Sequence, residues 1–212
     1  MDNRVITIDL LRHGATEGGP IYRGTTDSAL SAEGARQMKQ TVSDFSSASV
    51  WQKVFSSPLQ RCSGFAQNFA TAGNVPLMLD QNLREIDFGD WEGRDVSAVW
   101  RDFPQQAEAF WRTPEENPPP GGETIAELQS RIAEFLDQVL AGEDDNLLVV
   151  SHGGVIRGIL AQVLRLPSSS WSTLQLDHAS LSRIQLGFDN EQGGDDGKGW
   201  ASVAFINWLP GR

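Results

Sequence analysis

Two short apolar runs in this chain end alike: Val5-Ile6-Thr7-Ile8-Asp9-Leu10-Leu11 leads into Arg12-His13-Gly14, and Leu147-Leu148-Val149-Val150 leads into Ser151-His152-Gly153. With 3 histidines in the whole chain, two at matched strand ends make a pattern. If the runs are neighbouring parallel strands, both imidazoles meet at the carboxyl edge of one sheet, where α/β proteins bind ligands. Arg12 adds a guanidinium there, and Arg61 adds another after the next strand-like stretch. Imidazoles beside guanidiniums suit phosphate chemistry.

Moving a phosphoryl group without a metal requires fixed positive charge around a dianion, an in-line nucleophile and a proton for the leaving oxygen. A neutral imidazole is nucleophilic near pH 7, and its phosphorylated form hydrolyses readily. His13 fits that role. Arg12 and Arg61 would clamp the non-bridging oxygens, and His152, if protonated, would add a third donor. The backbone N–H groups of Gly14 and Gly153 offer neutral donors in the same crevice, as strand-to-helix turns do. For the acid, the best candidate is Glu85 in Leu83-Arg84-Glu85-Ile86-Asp87-Phe88-Gly89-Asp90-Trp91-Glu92-Gly93. Bound phosphate raises the proton affinity of a nearby carboxyl, which then donates to the leaving alcohol and later accepts from water. Asp87, Asp90 and Glu92 compete for the role, and spacing does not separate them.

The elements that must position these groups alternate strand and helix, which predicts an α/β/α sandwich around a mostly parallel sheet. Strands are expected over Val5–Leu11, Val50–Ser56, Val75–Leu79 and Asn146–Ser151, with a closing hairpin from Leu181–Phe188 and Ser202–Trp208. Ser31 caps a helix running to about Phe45, and Ser57-Pro58 caps one running past Arg61 to about Ala70. A third helix starts at Gly153-Gly154 and ends near Leu166-Pro167. The excursion from about Gln81 to Gly122 is too long for a plain loop and predicts a helical cap over the sheet edge. It ends in Asn117-Pro118-Pro119-Pro120-Gly121-Gly122, and Glu123–Leu140 returns as an amphipathic helix. The whole of 1–212 reads as one domain carrying that insertion. The acidic, glycine-rich run Asp189–Gly197 lacks EF-hand spacing and reads as a hairpin loop.

A chain of 212 residues that is 39% hydrophobic can bury one sizeable core. Its formal charge of -11 argues against nucleic-acid or anionic-membrane surfaces and for a small-molecule partner. Only Lys39, Lys53 and Lys198 are lysines among 17 basic residues, so nearly all positive charge is guanidinium. Cys62 is the single cysteine, which excludes an internal disulfide and fits a reducing, cytoplasmic compartment. The amino terminus lacks signal-peptide features, and no apolar run approaches the ~20 residues of a membrane helix. A homodimer is left open.

The ordered set Leu11-Arg12-His13-Gly14-Ala15-Thr16, Arg23-Gly24-Thr25-Thr26-Asp27, Leu30-Ser31-Ala32-Glu33-Gly34, Ser56-Ser57-Pro58-Leu59-Gln60-Arg61, Glu85 with Phe88-Gly89-Asp90-Trp91-Glu92-Gly93, Gly121-Gly122-Glu123-Thr124 and Val150-Ser151-His152-Gly153-Gly154 resembles the histidine phosphatase (phosphoglycerate mutase-like) superfamily. The resemblance covers about residues 5 to 165. It implies His13 as the phosphorylated nucleophile, Arg12, Arg61 and His152 as the phosphate pocket, Glu85 as the proton donor, a three-layer sandwich, and no metal or other cofactor. Many members carry asparagine where this chain has Gly19, so backbone amides, Thr16 or Arg23 would have to supply that phosphate contact. Arg23 is also expected at the pocket entrance, where a salt bridge to Asp27 would explain it equally well.

Other features have plainer readings. His178 could sit at the pocket mouth but reads first as a surface or capping histidine. Of Trp91, Trp100 and Trp111, at least two are expected in the cap core. Cys62 beside Arg61 is no phosphate-loop cysteine, because Asn68 stands where that loop needs arginine. Neither a Gly-x-Ser-x-Gly elbow nor a Walker loop is present. The mutase members hold a substrate carboxylate with an arginine pair and a cap lysine, which this chain lacks, so the resemblance implies a phosphomonoester phosphatase. Its Arg-Gly-x-x-Asp stretch and Glu17-Gly18-Gly19 loop look most like bacterial alpha-ribazole-phosphate phosphatases of cobalamin biosynthesis. A broad sugar-phosphate phosphatase or a mutase is the alternative. A non-catalytic phospholigand- or protein-binding member is the reading from another class.

Overall fold

Leu147 and Val149 face one side of their strand and Leu148 and Val150 the other, and all four are buried. A strand apolar on both faces must lie inside a sheet covered on both sides. The computed structural model, which describes residues 4–45, 51–188 and 199–211, shows that arrangement. Strands β1 (Val5–Arg12), β2 (Lys53–Ser56), β3 (Leu77–Leu79), β4 (Asn146–Ser151), β5 (Leu181–Phe188) and β6 (Gly199–Trp208) form one sheet in the order β3-β2-β4-β1-β5-β6. The first four are mutually parallel, and β5 and β6 add an antiparallel edge.

Helices α1 (Ala32–Phe45) and α2 (Gln60–Gly73) cover one face, burying Met38, Val42, Cys62 and Ala66 against Leu11, Val54, Leu148 and Val150. Helices α5 (Ile125–Ala141) and α6 (Gly153–Leu164) cover the other with Leu128, Ile132, Phe135, Val155 and Ile159. The helices α3 (Val96–Asp102) and α4 (Pro104–Arg112), with the 3-10 turns Gln81–Leu83 and Gly89–Trp91, make the cap. Trp91 is buried in it, whereas Trp100 and Trp111 stay exposed on one side. This is the expected α/β/α sandwich with a mostly parallel sheet and a helical cap.

Several boundaries moved for identifiable reasons. Ser57 and Pro58 precede α2 rather than begin it. The helix starts at Gln60, whose N–H is capped from a distant loop by Asp27 Oδ1 at 2.8 Å. Val75 donates to Ala70 O to close α2, so β3 begins only at Leu77. Helix α5 starts at Ile125 because Thr124 and Glu127 form a reciprocal capping box. Strand β6 begins at Gly199, earlier than expected. Val50 and the acidic loop lie outside the described residues. Among the described residues, no helix is long and apolar enough to cross a membrane.

Candidate active site

Strands β1 and β4 pair in parallel with Arg12 opposite Ser151, and the ladder continues one residue further as His13 N donates to Ser151 O at 2.9 Å. The next residue on each strand is a histidine, and the two rings come to 5.2 Å between centroids. The helices leaving β1 and β4, α1 and α6, pass to opposite faces of the sheet, so a crevice opens between the two strand ends. Gly14 lets α1 close over this point, since a Cβ there would lie 2.2 Å from Gly34 O.

His13 is 6% exposed, and its Nδ1 lies 2.8 Å from Gly14 O. A carbonyl only accepts, so Nδ1 carries the proton and Nε2 keeps its lone pair. Burial, with Arg12 and Arg61 nearby, holds the imidazole pKa well below its ordinary value, so the ring is neutral at pH 7. A neutral ring with a free Nε2 is the form that attacks phosphorus.

His152 is fully buried and also neutral, its pKa lowered first by desolvation and then by Arg61. Arg61 Nε donates to its Nδ1 at 3.1 Å, so Nε2–H donates to Ser57 Oγ at 2.7 Å. The protonated donor envisaged from the sequence is therefore absent: both ring nitrogens are engaged within the protein. Ser57, expected as a helix cap, accepts from Leu59 N at 3.3 Å just before α2 and holds this ring as well. Cys62 Sγ packs 3.5 Å from Nε2, and burial pushes its thiol far above the ordinary range, which suits a packing role.

A cavity of about 500 Å³ lies in front of His13. Arg12, Thr16, Arg23, Glu85, Gly153 and His178 line it, as do Gly19, Gly154 and Arg157. Arg61 lies behind its floor, 0% exposed, donating to the carbonyls of Arg23, Gly24 and Thr26 as well as to His152. Arg12 Nη1 donates to Leu176 O, while its buried Nε has no partner among the described residues. Arg23 is braced by Ser28 Oγ and by the carbonyls of Glu17 and Gly19. The expected alternative, a salt bridge from Arg23 to Asp27, does not form, because Asp27 caps α2. Among the described residues, Arg12, Arg23, Arg61 and Arg157 form no ion pair with any carboxylate.

The carboxylates sort themselves by their donors. Glu92 accepts from the backbone of Gly24, Thr25, Thr26 and Phe88, so it fastens loop to cap. Asp87 closes a turn by accepting from Gly89 N. Glu85 alone of the competitors lines the cavity, with both oxygens 3.1 Å from Gly154 N at the start of α6. Glycine makes room for that approach, since a Cβ on Gly154 would stand 2.4 Å from Glu85 Oε1 and push the carboxylate aside.

One lining residue has no role in the sequence-based expectations, and another takes the second of its two expected places. Arg157, one helical turn after Gly153, faces the cavity from α6 and interacts with Glu85 at longer range. Its signal was the i+4 spacing. For His178 the structure favours the pocket mouth over a purely surface or capping place: it lines the cavity and is exposed, with its ring 5.6 Å from that of His13.

Known proteins share this architecture. The chain is 29% identical over 185 residues to phosphoserine phosphatase 1 of Hydrogenobacter thermophilus, covering 86% of this chain and 87% of that protein. It is 30% identical over 220 residues to glucosyl-3-phosphoglycerate phosphatase of Mycolicibacterium vanbaalenii, covering 97% and 92%. The solved alpha-ribazole phosphatase of Shigella flexneri has the same fold, with a TM-score of 0.77, 96% of each chain covered and 23% identity. The sequence profile of one family spans residues 8–193, and by that match the chain belongs to the Histidine phosphatase superfamily (branch 1).

Proposed function

We propose that this protein is a phosphomonoester hydrolase working through a phosphohistidine at His13, without a metal. The observation that carries the reading is a neutral, tautomer-fixed His13 in the wall of a cavity lined by Arg12, Arg23 and Arg157, with Arg61 behind its floor, none of which forms an ion pair with a carboxylate among the described residues, in a chain of net charge -11. Such guanidiniums are held for an incoming anion. His13 Nε2 attacks phosphorus as the ester oxygen departs, and Glu85 gives that oxygen its proton. Water then attacks phosphorus in line, returns a proton to Glu85 and frees His13. Arg12, the helix start at Gly153, Thr16 and the charge of Arg61 behind the floor stabilise the transferring group. A cytoplasmic location belongs to the same proposal, supported by a single, buried thiol.

The finer reading is alpha-ribazole 5'-phosphate as substrate. Much of the cavity's lining is apolar and aromatic, formed by Tyr22, Phe88, Phe110, Trp111, Leu128 and Trp171. Trp171 Nε1 is buried without a partner among the described residues, which suits an alcohol portion carrying a flat ring and a hydrogen-bond acceptor. An amino-acid phosphate would leave most of that wall wet. Arg157 favours a second reading, an ester that also carries a carboxylate, such as glucosyl-3-phosphoglycerate.

Phosphate release in chelator, from alpha-ribazole 5'-phosphate, phosphoserine, glucosyl-3-phosphoglycerate and 3-phosphoglycerate, tests both levels. Replacing His13 by alanine should cost about 10⁴-fold or more in kcat, and labelled protein should carry acid-labile phosphate. Turnover that survives in the variant sinks the mechanism. A flat ranking across the panel sinks the finer reading.

A further inference from the structure

We propose that His178 is a third imidazole of the reacting centre, whose ring N–H donates a hydrogen bond to the phosphoryl group carried by His13. The inference rests on the phosphohistidine reading above and adds a residue to it.

Placement is the first support. The His178 ring lies 5.6 Å from the His13 ring, tilted by 35°, in the wall of the same cavity. That position is fixed through the backbone. Ala179 N donates to His13 O at 3.1 Å, and Arg12 N donates to Ser180 O at 3.0 Å, so the residues following His178 are bonded to the nucleophile's own segment. Ser180 N closes back on Asp177 O, making a tight turn with His178 inside it.

The turn is strained as well as pinned. Ala179 adopts φ +57 in the left-handed region, which a non-glycine residue rarely enters, and its carbonyl accepts from Thr41 Oγ1 at 2.8 Å. Strain of this kind persists where surrounding bonds impose it, and it concentrates at functional sites. Here it sets the direction of the residue just before it.

Donor supply is the second support. A phosphoryl group in transfer presents three equatorial oxygens. His152 spends both ring nitrogens on Arg61 and Ser57. Arg61 makes four bonds with its five N–H groups to protein acceptors. Those two groups leave little for the oxygens beyond charge, and Arg12 Nε is one unpaired donor. His178, by contrast, has no hydrogen-bond partner among the described residues. Burial of its inner edge, with Arg12 and Arg23 nearby, lowers its pKa to about 4, so it enters the reaction neutral and keeps one N–H to give.

Orthovanadate, which takes the five-coordinate shape of the transferring group, reads this contact directly. Its affinity would be measured by calorimetry for the unmodified protein, His178→Ala, His178→Phe and His178→Asn, beside kcat and KM on p-nitrophenyl phosphate. Alanine and phenylalanine should each weaken vanadate by about tenfold and lower kcat similarly with KM little changed. Asparagine, which restores an N–H donor, should recover at least half of that loss on a logarithmic scale. A loss under about fivefold in the alanine variant, or an asparagine variant no better than alanine, overturns the proposal. An unmodified protein that does not bind vanadate overturns it too. If turnover instead survives His13→Ala, the phosphohistidine reading fails while the vanadate ranking still decides whether His178 joins an anion site.

Discussion

Arg131 and Arg61 are both buried arginines, yet the fold treats them oppositely. Arg131, on α5, is 9% exposed and grips Glu123 through Nε at 2.6 Å and Nη2 at 2.9 Å. Asp9, inside the sheet, is likewise held by both Arg183 and Trp51. Among the described residues Arg61, at 0% exposure, hydrogen-bonds only to neutral acceptors, and the same holds for Arg12, Arg23 and Arg157. Where charge serves the fold, an opposite charge neutralises it internally. Around His13 the cavity-lining guanidiniums of Arg12, Arg23 and Arg157 meet Glu85, Glu92 and Asp177 only at longer range, an unpaired positive charge that the proposed phosphate would neutralise.

The contrast breaks most visibly at its structural end. Glu123→Ala strands Arg131, and should cost about 3 kcal/mol of stability, at the low end for a buried pair because Glu123 is only partly covered. Urea denaturation should show the loss, with KM unchanged in the folded protein. A loss in KM rather than in midpoint would erase the distinction between the two regions.

Arg12→Met should do the reverse. Turnover is expected to fall by about 10²- to 10³-fold, while stability in phosphate-free buffer changes by less than about 1 kcal/mol, because the lost cation had no carboxylate to lose. Calorimetry with and without phosphate checks it. A large destabilisation without phosphate would make Arg12 another Arg131.

Acid provides the gentlest probe. His13 and His152 both have folded-state pKa values well below the unfolded value near 6.5, chiefly from burial. Below that value the unfolded chain binds protons that the native rings refuse, so stability falls as pH drops from about 6.5 toward the folded values. The slope approaches about 1.4 kcal/mol per pH unit for each ring. Denaturation midpoints measured from pH 7 to 5.5 should decline, and His152→Asn should flatten the decline. An unchanged slope in that variant would mean that the buried rings are not what makes this end acid-sensitive.

Much of this contrast could be read from the chain itself, for physical reasons that differ by residue. His13 and His152 were legible because a strand has a period and an end, and a glycine after each end marks the turn into a helix. The choice of Glu85 over Asp87, Asp90 and Glu92 needed the family likeness, because the sorting depends on which backbone N–H groups each carboxylate meets across the fold. Glu92 finds three of its donors in residues 24–26, a separation no local spacing reveals. Ser57 was legible only in part: a serine before proline suggests a helix cap, and its hydroxyl does accept from Leu59 N, but only the packed structure shows a histidine sharing that hydroxyl. His178 depended on a left-handed alanine, which sequence reasoning has no cause to expect.

Glu92 also has a mechanical meaning. One carboxylate holds loop 24–26 to the start of the cap, and the carbonyls of that same loop hold Arg61. Rim and floor are thus riveted through a single side chain. The loop at the cavity's edge and the arginine beneath its floor are therefore one hydrogen-bonded piece, so a change at Glu92 reaches Arg61 without touching it.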